Sequence, residues 1–553
     1  MPQTMKRDAS GWLSRLTPES IEKYSANGTW SGKMVHECLW ERALHAPDQV
    51  VLISGSGTEV TVKELADDAR ALAATMVAEG LRQGDVVSFQ LPNWTEAAVI
   101  NIAASALGLV VNPIVPIYRG AECQAILSDA HTKLLFVPRK FRGFDYVAMV
   151  EQLRGNLPQL RHVVSVDPDA PTEASYGRFL EAGRGKRVDW PKVDPNAIKL
   201  VLFTSGTTGR AKGALHTYNT LAAGHVGLDY WKVDSRDVVL MPSPVTHITG
   251  YMWALEFPVL FGFKTVLMVQ WNADAAVQLI ERFQATLSVG SMPFLQELMN
   301  AATQRGTALP SLRLFACGGA PVPPTLIAKA HSIFVNCRCH RMYGATEAPG
   351  ITRGWMGPDE AALAANTDGK IVGWEVKIID DQGTPVPPGT DGEIVVRGAG
   401  MMVGYTDPEQ TAGSFTADDY FITGDIGHET TGGGLVITGR KKDLIIRGGE
   451  NLSAKEIEDA LQRHPGIRAA AVVSMPHPRL GEGVCAYVIP ASTECPPATD
   501  ALLRFVEASG LARQKLPERF EFISELPRTP SGKVRKDLLR TAIRDKLLQE
   551  CAP

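Results

Sequence analysis

The sequence predicts an α/β protein with parallel, doubly covered sheets early in the chain, an antiparallel portion after them, and a third texture at its end. Three observations carry this. Short β-branched runs at 86–89, 134–137, 163–166, 238–241, 266–268 and 314–317 alternate with longer helical patterns, the signature of strands buried on both faces. From about residue 370, turn clusters at 380–383 and 387–389 punctuate alternating strands such as 393–396, which reads as antiparallel. After Gly439-Arg440, a capping box of Ser453 and Glu456 opens a helix whose Ile457, Ala460 and Leu461 share one face. A boundary is placed near 439–443.

Composition narrows the function classes. A chain of 553 residues holds about one to four folding units with a large core. Its 56 basic and 60 acidic residues leave a formal charge of −4, with 44% hydrophobic residues. That balance disfavours a nucleic-acid partner or a polybasic membrane patch. Eight scattered cysteines and a start, MPQTMKRDASGWLSRL, without an apolar stretch read as a reduced, cytoplasmic protein. The most membrane-like segment, 97–111, is interrupted by Asn101 and Ser105 and stopped by Asn112-Pro113. It falls short of the roughly 20 residues a span requires and reads as a buried helix. Cys337-Arg338-Cys339-His340 has no second Cys/His pair at ligand spacing; it reads as a buried strand approaching Tyr343.

Residues 200–213, LVLFTSGTTGRAKG, run an apolar strand into a loop rich in glycine, hydroxyls and cations. Phosphate binding is the natural chemistry. Gly206 and Gly209 let backbone N–H groups converge on an anion, Thr204, Ser205, Thr207 and Thr208 add donors, and Lys212 adds charge. The spacing is not the G-x-x-x-x-G-K-[ST] of a P-loop, so an ordinary P-loop NTPase is disfavoured.

TSGTTGRAKG resembles the signature of the adenylate-forming enzymes: acyl-CoA synthetases, aryl-acid ligases, luciferases and peptide-synthetase adenylation domains. Further motifs follow in the family's order: YGATE at 343–347, TGD at 423–425, GRKKD at 439–443 and PRTPSGKVRK at 527–536. The resemblance implies a large N-terminal domain, 1–438, of two doubly wound α/β lobes and a β-barrel-like lobe. It also implies a hinge at 439–442 and a small mobile α+β domain at 443–553. ATP, Mg2+ and coenzyme A are the implied cofactors and co-substrates. By the same resemblance, Tyr343 flanks adenine, with Gly344 in the same motif, Thr346 contacts phosphate and Glu347 holds Mg2+. Gly318, Gly319 and Ala320 admit adenine close to the backbone, and Asp425 and Arg440 meet the ribose hydroxyls. Lys533 contacts the substrate carboxylate and α-phosphate during adenylation, Lys442 sits at the hinge, and Gly448 and Gly449 line the pantetheine tunnel. P-x4-G-K around Lys533 resembles the site that protein acetyltransferases modify in related synthetases, making such an enzyme an expected partner; a homodimer is expected by analogy.

The acyl pocket implied by the resemblance takes in 243–253, 291–294 and Cys317, and is mostly apolar. His247, between pocket and CoA tunnel, joins Lys533 as a catalytic candidate; Tyr251, Met292 and Cys317 join it as pocket residues. Catecholate-activating ligases carry Asn after this His, whereas this chain has Ile248, and no acidic residue stands in the pocket segment to pair an α-ammonium. Thr367-Asp368-Gly369 and 447–453 add likeness to short- and medium-chain acyl-CoA synthetases and cyclohexanecarboxylate–CoA ligases. The implied activity is an ATP-dependent acid–CoA ligase for a medium-chain or alicyclic acid such as cyclohexanecarboxylate, releasing AMP and pyrophosphate. The alternatives are an adenylating enzyme that loads a carrier protein and a non-enzymatic binding protein.

Overall fold

The computed structural model describes residues 5–170, 175–204, 211–320, 322–357, 359–447, 450–509, 511, 513–529 and 532–550. Ser205, Gly206, Thr207, Thr208 and Gly209 of the predicted phosphate loop, and Gly448 and Gly449, lie outside them. The chain forms two compact units: Met1–Glu375 with Val396–Phe421, and Val376–Val395 with Ile422–Pro553.

The first unit is built on two seven-stranded sheets. One runs in the order His162–Val166, Thr132–Pro138, Val86–Phe89, Val110–Pro113, Ile198–Thr204, Lys212–Thr217, Gly404–Tyr405. It is parallel as far as Ile198–Thr204 and antiparallel over its last two pairs. The other runs Arg338–Arg341, Leu314–Cys317, Leu287–Gly290, Val238–Met241, Lys264–Leu267, Val50–Ile53, Glu59–Thr61. Only its last pair is antiparallel. All six strands expected from β-branched runs are present, because each run carries enough apolar surface to be covered on both faces.

Helix ends follow local chemistry. Val62–Ala78 begins at a complete capping box, Thr61 with Glu64, and Ala273–Phe283 at an Asn272 side chain that accepts from Ala275 N–H at 2.8 Å. The single helix expected across 97–111 is corrected. Helix Thr95–Ala106 is wholly buried from Ala97 onward, and the chain then breaks at Gly108, φ +65°. Leu109 N–H turns back to Ala104 O at 2.9 Å, and 110–113 becomes a sheet strand. Periodicity alone does not separate a buried helix from the buried strand after it. Among the described residues no helix is long and apolar enough to cross a membrane.

The second unit holds most of a four-stranded sheet in the order Trp374–Ile379, Gly392–Gly398, Phe421–Glu429, Leu435–Arg440. It also contains a five-stranded sheet in which Ile467–His477 and Gly481–Pro490 pair antiparallel and Arg519–Phe522 adds parallel. Helix Ala454–Gln462 covers this sheet with Ala454, Ile457, Ala460 and Leu461 buried. Its predicted capping box is half made: Ser453 accepts from Glu456 N–H at 3.3 Å. The Glu456 carboxylate is taken instead by Lys515.

A charge sits inside the first unit. Lys199, fully buried mid-strand, pairs with the Glu256 carboxylate, itself 2% exposed. Asn101 Nδ2 donates to the same oxygen of Glu256 at 2.7 Å, and Tyr251 donates its hydroxyl to Asn101. Burial pushes the Lys199 ammonium down in pKa and Glu256 pushes it back up. Removing one partner of such a pair leaves an uncompensated buried charge and costs about 3–5 kcal/mol. Lys199→Met is therefore expected to lower unfolding stability by about that much in urea titrations, and Lys199→Met with Glu256→Gln to recover most of it. A loss under about 1 kcal/mol in the single variant would show that the pair carries no such burden.

Candidate functional site

Parallel pairing in the second sheet brings the candidate loops to one edge. Gly290 is in register with Cys317, and Cys317 with Arg341. The loops after Val238–Met241, Leu287–Gly290, Leu314–Cys317 and Arg338–Arg341 therefore leave from the same carboxyl end, where open parallel sheets bind ligands. The segments that follow these strands hold His247 and Tyr251, Met292, Gly318 to Ala320, and Tyr343 to Glu347, respectively.

The segment predicted to admit adenine is tightly packed at Gly318. Gly318 N–H bonds Gly290 O at 3.0 Å, and a Cβ on Gly318 would lie 2.5 Å from Met342 O, so only glycine fits there. Gly344 faces the same restriction, 2.4 Å from Gly350 N. Tyr343 is braced from behind. Its N–H donates to Thr352 Oγ1 at 2.7 Å, Thr352 donates that hydroxyl to Asp368 O, and Arg341 Nε donates to the Asp368 carboxylate at 3.0 Å. Thr367-Asp368-Gly369, noted in the sequence only as a likeness, is thus a strut for the Tyr343 loop.

The strands on either side of the predicted phosphate loop belong to the first sheet. Thr204 and Lys212 are paired across Ile198–Thr204 and Lys212–Thr217, and Thr204 Oγ1 donates to Lys212 O at 3.4 Å. The Lys212 ammonium lies 5.3 Å above the Tyr405 ring. Tyr405 donates its hydroxyl to Glu347 Oε1 at 2.9 Å, Met402 N–H donates to Glu347 O at 2.8 Å, and His216 Nε2 lies 2.8 Å from Thr346 O. Since a carbonyl only accepts, His216 carries its proton on Nε2. Thr204, Lys212, Thr346 and Glu347, drawn from two sheets, thereby form one cluster. Sequence reasoning missed Tyr405 and His216, because neither falls in a phosphate or metal motif.

Among the described residues no group of three or more His, Cys, Asp or Glu side chains could hold a metal ion. Among the described residues, the Glu347 carboxylate accepts a hydrogen bond from Tyr405 on Oε1 and none on Oε2. One carboxylate oxygen suits Mg2+, which takes one or two carboxylates and completes its shell with water and substrate phosphates.

The acyl candidates divide between two cores. Tyr251 is fully buried, with its hydroxyl in the Lys199–Glu256–Asn101 network rather than presented to a ligand. It begins the wide-turned helix Tyr251–Glu256, a π segment of the sort that collects at functional sites. Cys317 is fully buried, and burial pushes its thiol pKa well up. Met292 and Phe294 pack, half-buried, against the core that contains Cys317, and Ile248 against the core that contains Tyr251. His247 is half-buried; its N–H bonds Pro244 O at 3.0 Å and its carbonyl accepts from Tyr251 N–H at 2.8 Å.

In the second unit, Arg440 Nε and Asp425 Oδ1 form a 2.7 Å ion pair across facing strands. Lys442 follows on a short 3-10 turn, and burial followed by Arg440 lowers its pKa. Arg540 holds this turn through Asp443 and through Lys442 O at 3.3 Å. Leu444–Arg447 and Glu450–Ser453 pair antiparallel, with Arg447 opposite Glu450. Lys533 is exposed on a tight turn where Thr529 N–H bonds Lys533 O at 2.7 Å.

Burial makes three histidines acid-sensitive: His36 and His340 are pushed down to about 3 and His216 to about 4. Below about pH 6.5 the unfolded chain takes up protons that these folded imidazoles refuse. The stability they contribute is complete above that pH and is lost as pH falls toward 4, each at up to about 1.4 kcal/mol per unit. Urea midpoints measured between pH 8 and 4 are expected to fall below 6.5, and His340→Leu to shallow the fall. Parallel wild-type and variant curves would contradict this.

The profile of the family described as AMP-binding enzyme matches residues 39–406, and that of the AMP-binding enzyme C-terminal domain matches 456–533. The chain is 34% identical to the medium-chain fatty-acid–CoA ligase of Escherichia coli K12, covering 95% of this chain and 93% of that protein. It is 32% identical to the 2,3-dihydroxybenzoate–AMP ligase of Bacillus subtilis, covering 97% and 99%. Among solved structures, ATP-bound MatB from Rhodopseudomonas palustris superposes with a TM-score of 0.84 at 28% identity, covering 93% of this chain and 99% of that one.

Proposed function

The chain belongs to the AMP-binding enzyme family and is an acid–CoA ligase acting through an acyl adenylate; from that premise we propose that its acid is a medium-chain fatty or alicyclic one. The observation that carries this reading is that the Tyr343–Glu347 loop and the Gly318 segment leave one edge of the second sheet, and that Glu347 and Lys212 of the first sheet meet at one tyrosine. In this reading the acid's carboxylate oxygen attacks the α-phosphorus of ATP, and the bond to pyrophosphate breaks. The thiolate of CoA then attacks the acyl carbon, and AMP leaves.

Both partners of the first step are anions, so the residues that matter supply cations and donors before the bond forms. Lys212 and the hydroxyls of its loop bind the phosphates, Thr346 adds a donor, and Asp425 and Arg440 hold the ribose. Tyr343 and the Gly318 segment flank adenine. When bound at Glu347, Mg2+ neutralises phosphate charge and polarises the phosphoryl oxygens. Lys533 serves adenylation and is exchanged for the Gly448–Gly449 face in thioester formation, with Lys442 as the pivot. The apolar surroundings of Met292, Cys317 and Ile248 favour an acid without charge or hydroxyl near its carboxylate. Ile248 disfavours a catechol ring, since an isoleucine leaves a ring hydroxyl without a partner.

Pyrophosphate release with Mg-ATP, CoA and a panel from butyrate to dodecanoate, cyclohexanecarboxylate, benzoate and 2,3-dihydroxybenzoate tests the substrate class. A CoA-dependent maximum on an aliphatic or alicyclic acid is expected. A maximum on dihydroxybenzoate overturns the assignment, and CoA-independent turnover points to a carrier-protein acceptor. Lys533→Ala is expected to cut adenylation by about 100-fold or more, a loss of the size that follows removal of one charge-stabilising donor. It should still convert supplied acyl adenylate, and Lys442→Pro should show the reverse pattern. Equal loss of both steps in both variants contradicts the alternation.

A further inference from the structure

We propose that Tyr405 is a positioning residue for adenylation, holding the Glu347 carboxylate in place for the Mg2+ ion that accompanies ATP and stationing Lys212 beside it. The proposal rests on the reading of Glu347 as the metal ligand.

The geometry begins with strand alternation. Lys212, Ala214 and His216 occupy alternate places on Lys212–Thr217 and share a face. Tyr405 stands opposite Ala214 in the antiparallel partner strand, so Lys212, His216 and Tyr405 project together. That face meets the Thr346–Glu347 dipeptide at three points: His216 Nε2 on Thr346 O, Met402 N–H on Glu347 O, and the Tyr405 hydroxyl on Glu347 Oε1 at 2.9 Å. Two contacts fix the backbone; among the described residues, Tyr405 alone fixes the carboxylate. A five-atom side chain held at both its carbonyl and one carboxylate oxygen keeps little rotamer freedom, so its other oxygen has a defined direction.

The donor is suited to this. Tyr405 is 5% exposed, so its ring is held by packing and its hydroxyl is directed at Glu347 Oε1. Its ring face, 5.3 Å from the Lys212 ammonium, also attracts that cation. One aromatic residue thus sets the separation between the metal ligand and the phosphate-loop charge. Such partners behind a ligand carry about 10–100-fold in metal affinity or activity.

The test compares ATP dissociation constants from equilibrium dialysis in Mg2+ and in EDTA, for the wild type, Tyr405→Phe, Tyr405→Gln, Glu347→Gln, and Tyr405→Phe with Glu347→Gln. Tyr405→Phe is expected to reduce the enhancement by Mg2+ about tenfold while leaving metal-free ATP binding unchanged. Tyr405→Gln, which restores a donor, should regain part of it, and the double variant should match Glu347→Gln. Full enhancement in Tyr405→Phe alongside loss in Glu347→Gln overturns the positioning role and leaves the Glu347 reading standing. Full enhancement in Glu347→Gln removes that reading and this proposal together. Equal loss of metal-free binding in Tyr405→Phe, or a Gln variant no better than Phe, marks Tyr405 as packing alone and also overturns it.

Discussion

The in-register parallel pairing of Leu287–Gly290, Leu314–Cys317 and Arg338–Arg341 is the constraint on which the rest of the first unit depends. Parallel strands send every following loop out of the same end. The glycines at 318 and 319, the Tyr343 loop and the segment at 291–294 are separated in sequence, yet they leave one sheet edge because their strands are neighbours. A one-residue slip in any pair would exchange the sheet's two faces. It would also move Gly318 away from Met342 O, the contact that excludes every other residue at that place.

Polar groups placed inside this apolar framework act as struts. Arg341, Asp368 and Thr352 form a chain of bonds ending on Tyr343 N–H. Lys199, Glu256 and Asn101 form another, ending on Tyr251. In both, a buried charge is compensated by its opposite, and in the second the Asn101 amide also donates to the carboxylate, the condition under which burial of charge is tolerable. The first strut backs the Tyr343 loop and the second the start of helix Tyr251–Glu256. Charge is therefore buried where backbone position matters to the site, at a cost that apolar residues would not incur.

Much of this was legible in the sequence. The six strand runs stood out because strands covered on both faces have to be continuously apolar, and the antiparallel texture after residue 370 because its turns need Gly, Pro and Asp. The motif loops stood out by residue type alone: hydroxyls and a lysine after a buried strand at 200–213, a carboxylate at Glu347. Residues whose role depends on contacts between distant segments were not. Tyr405 lies 58 residues from Glu347 and Asp368 lies 27 from Arg341; no local pattern marks either. The half-made capping box at Ser453 is a like case, since Lys515, 59 residues away, claims the Glu456 carboxylate. The break at Gly108 was hidden because helix and strand on either side of it are equally apolar.

In the proposed site the residues assigned to a triphosphate come from two sheets, and that division sets a geometric problem. The phosphate-loop cation belongs to the first sheet and the metal-ligand candidate to a loop of the second, so small shifts between the sheets would change the distance between the two charges. Phosphate oxygens on one chain tolerate little such change, because preorganised charge assists a reaction only if it is already where charge develops. A covalent link is absent, and the backbone bonds from His216 and Met402 fix the loop but not the carboxylate. Tyr405 closes the gap with one ring: its face turned to Lys212, its hydroxyl to Glu347. A phenol is rigid, spans the separation with two torsions, and holds its proton when buried. Serine or threonine would be too short for the span, and lysine would add a competing charge between metal and phosphate.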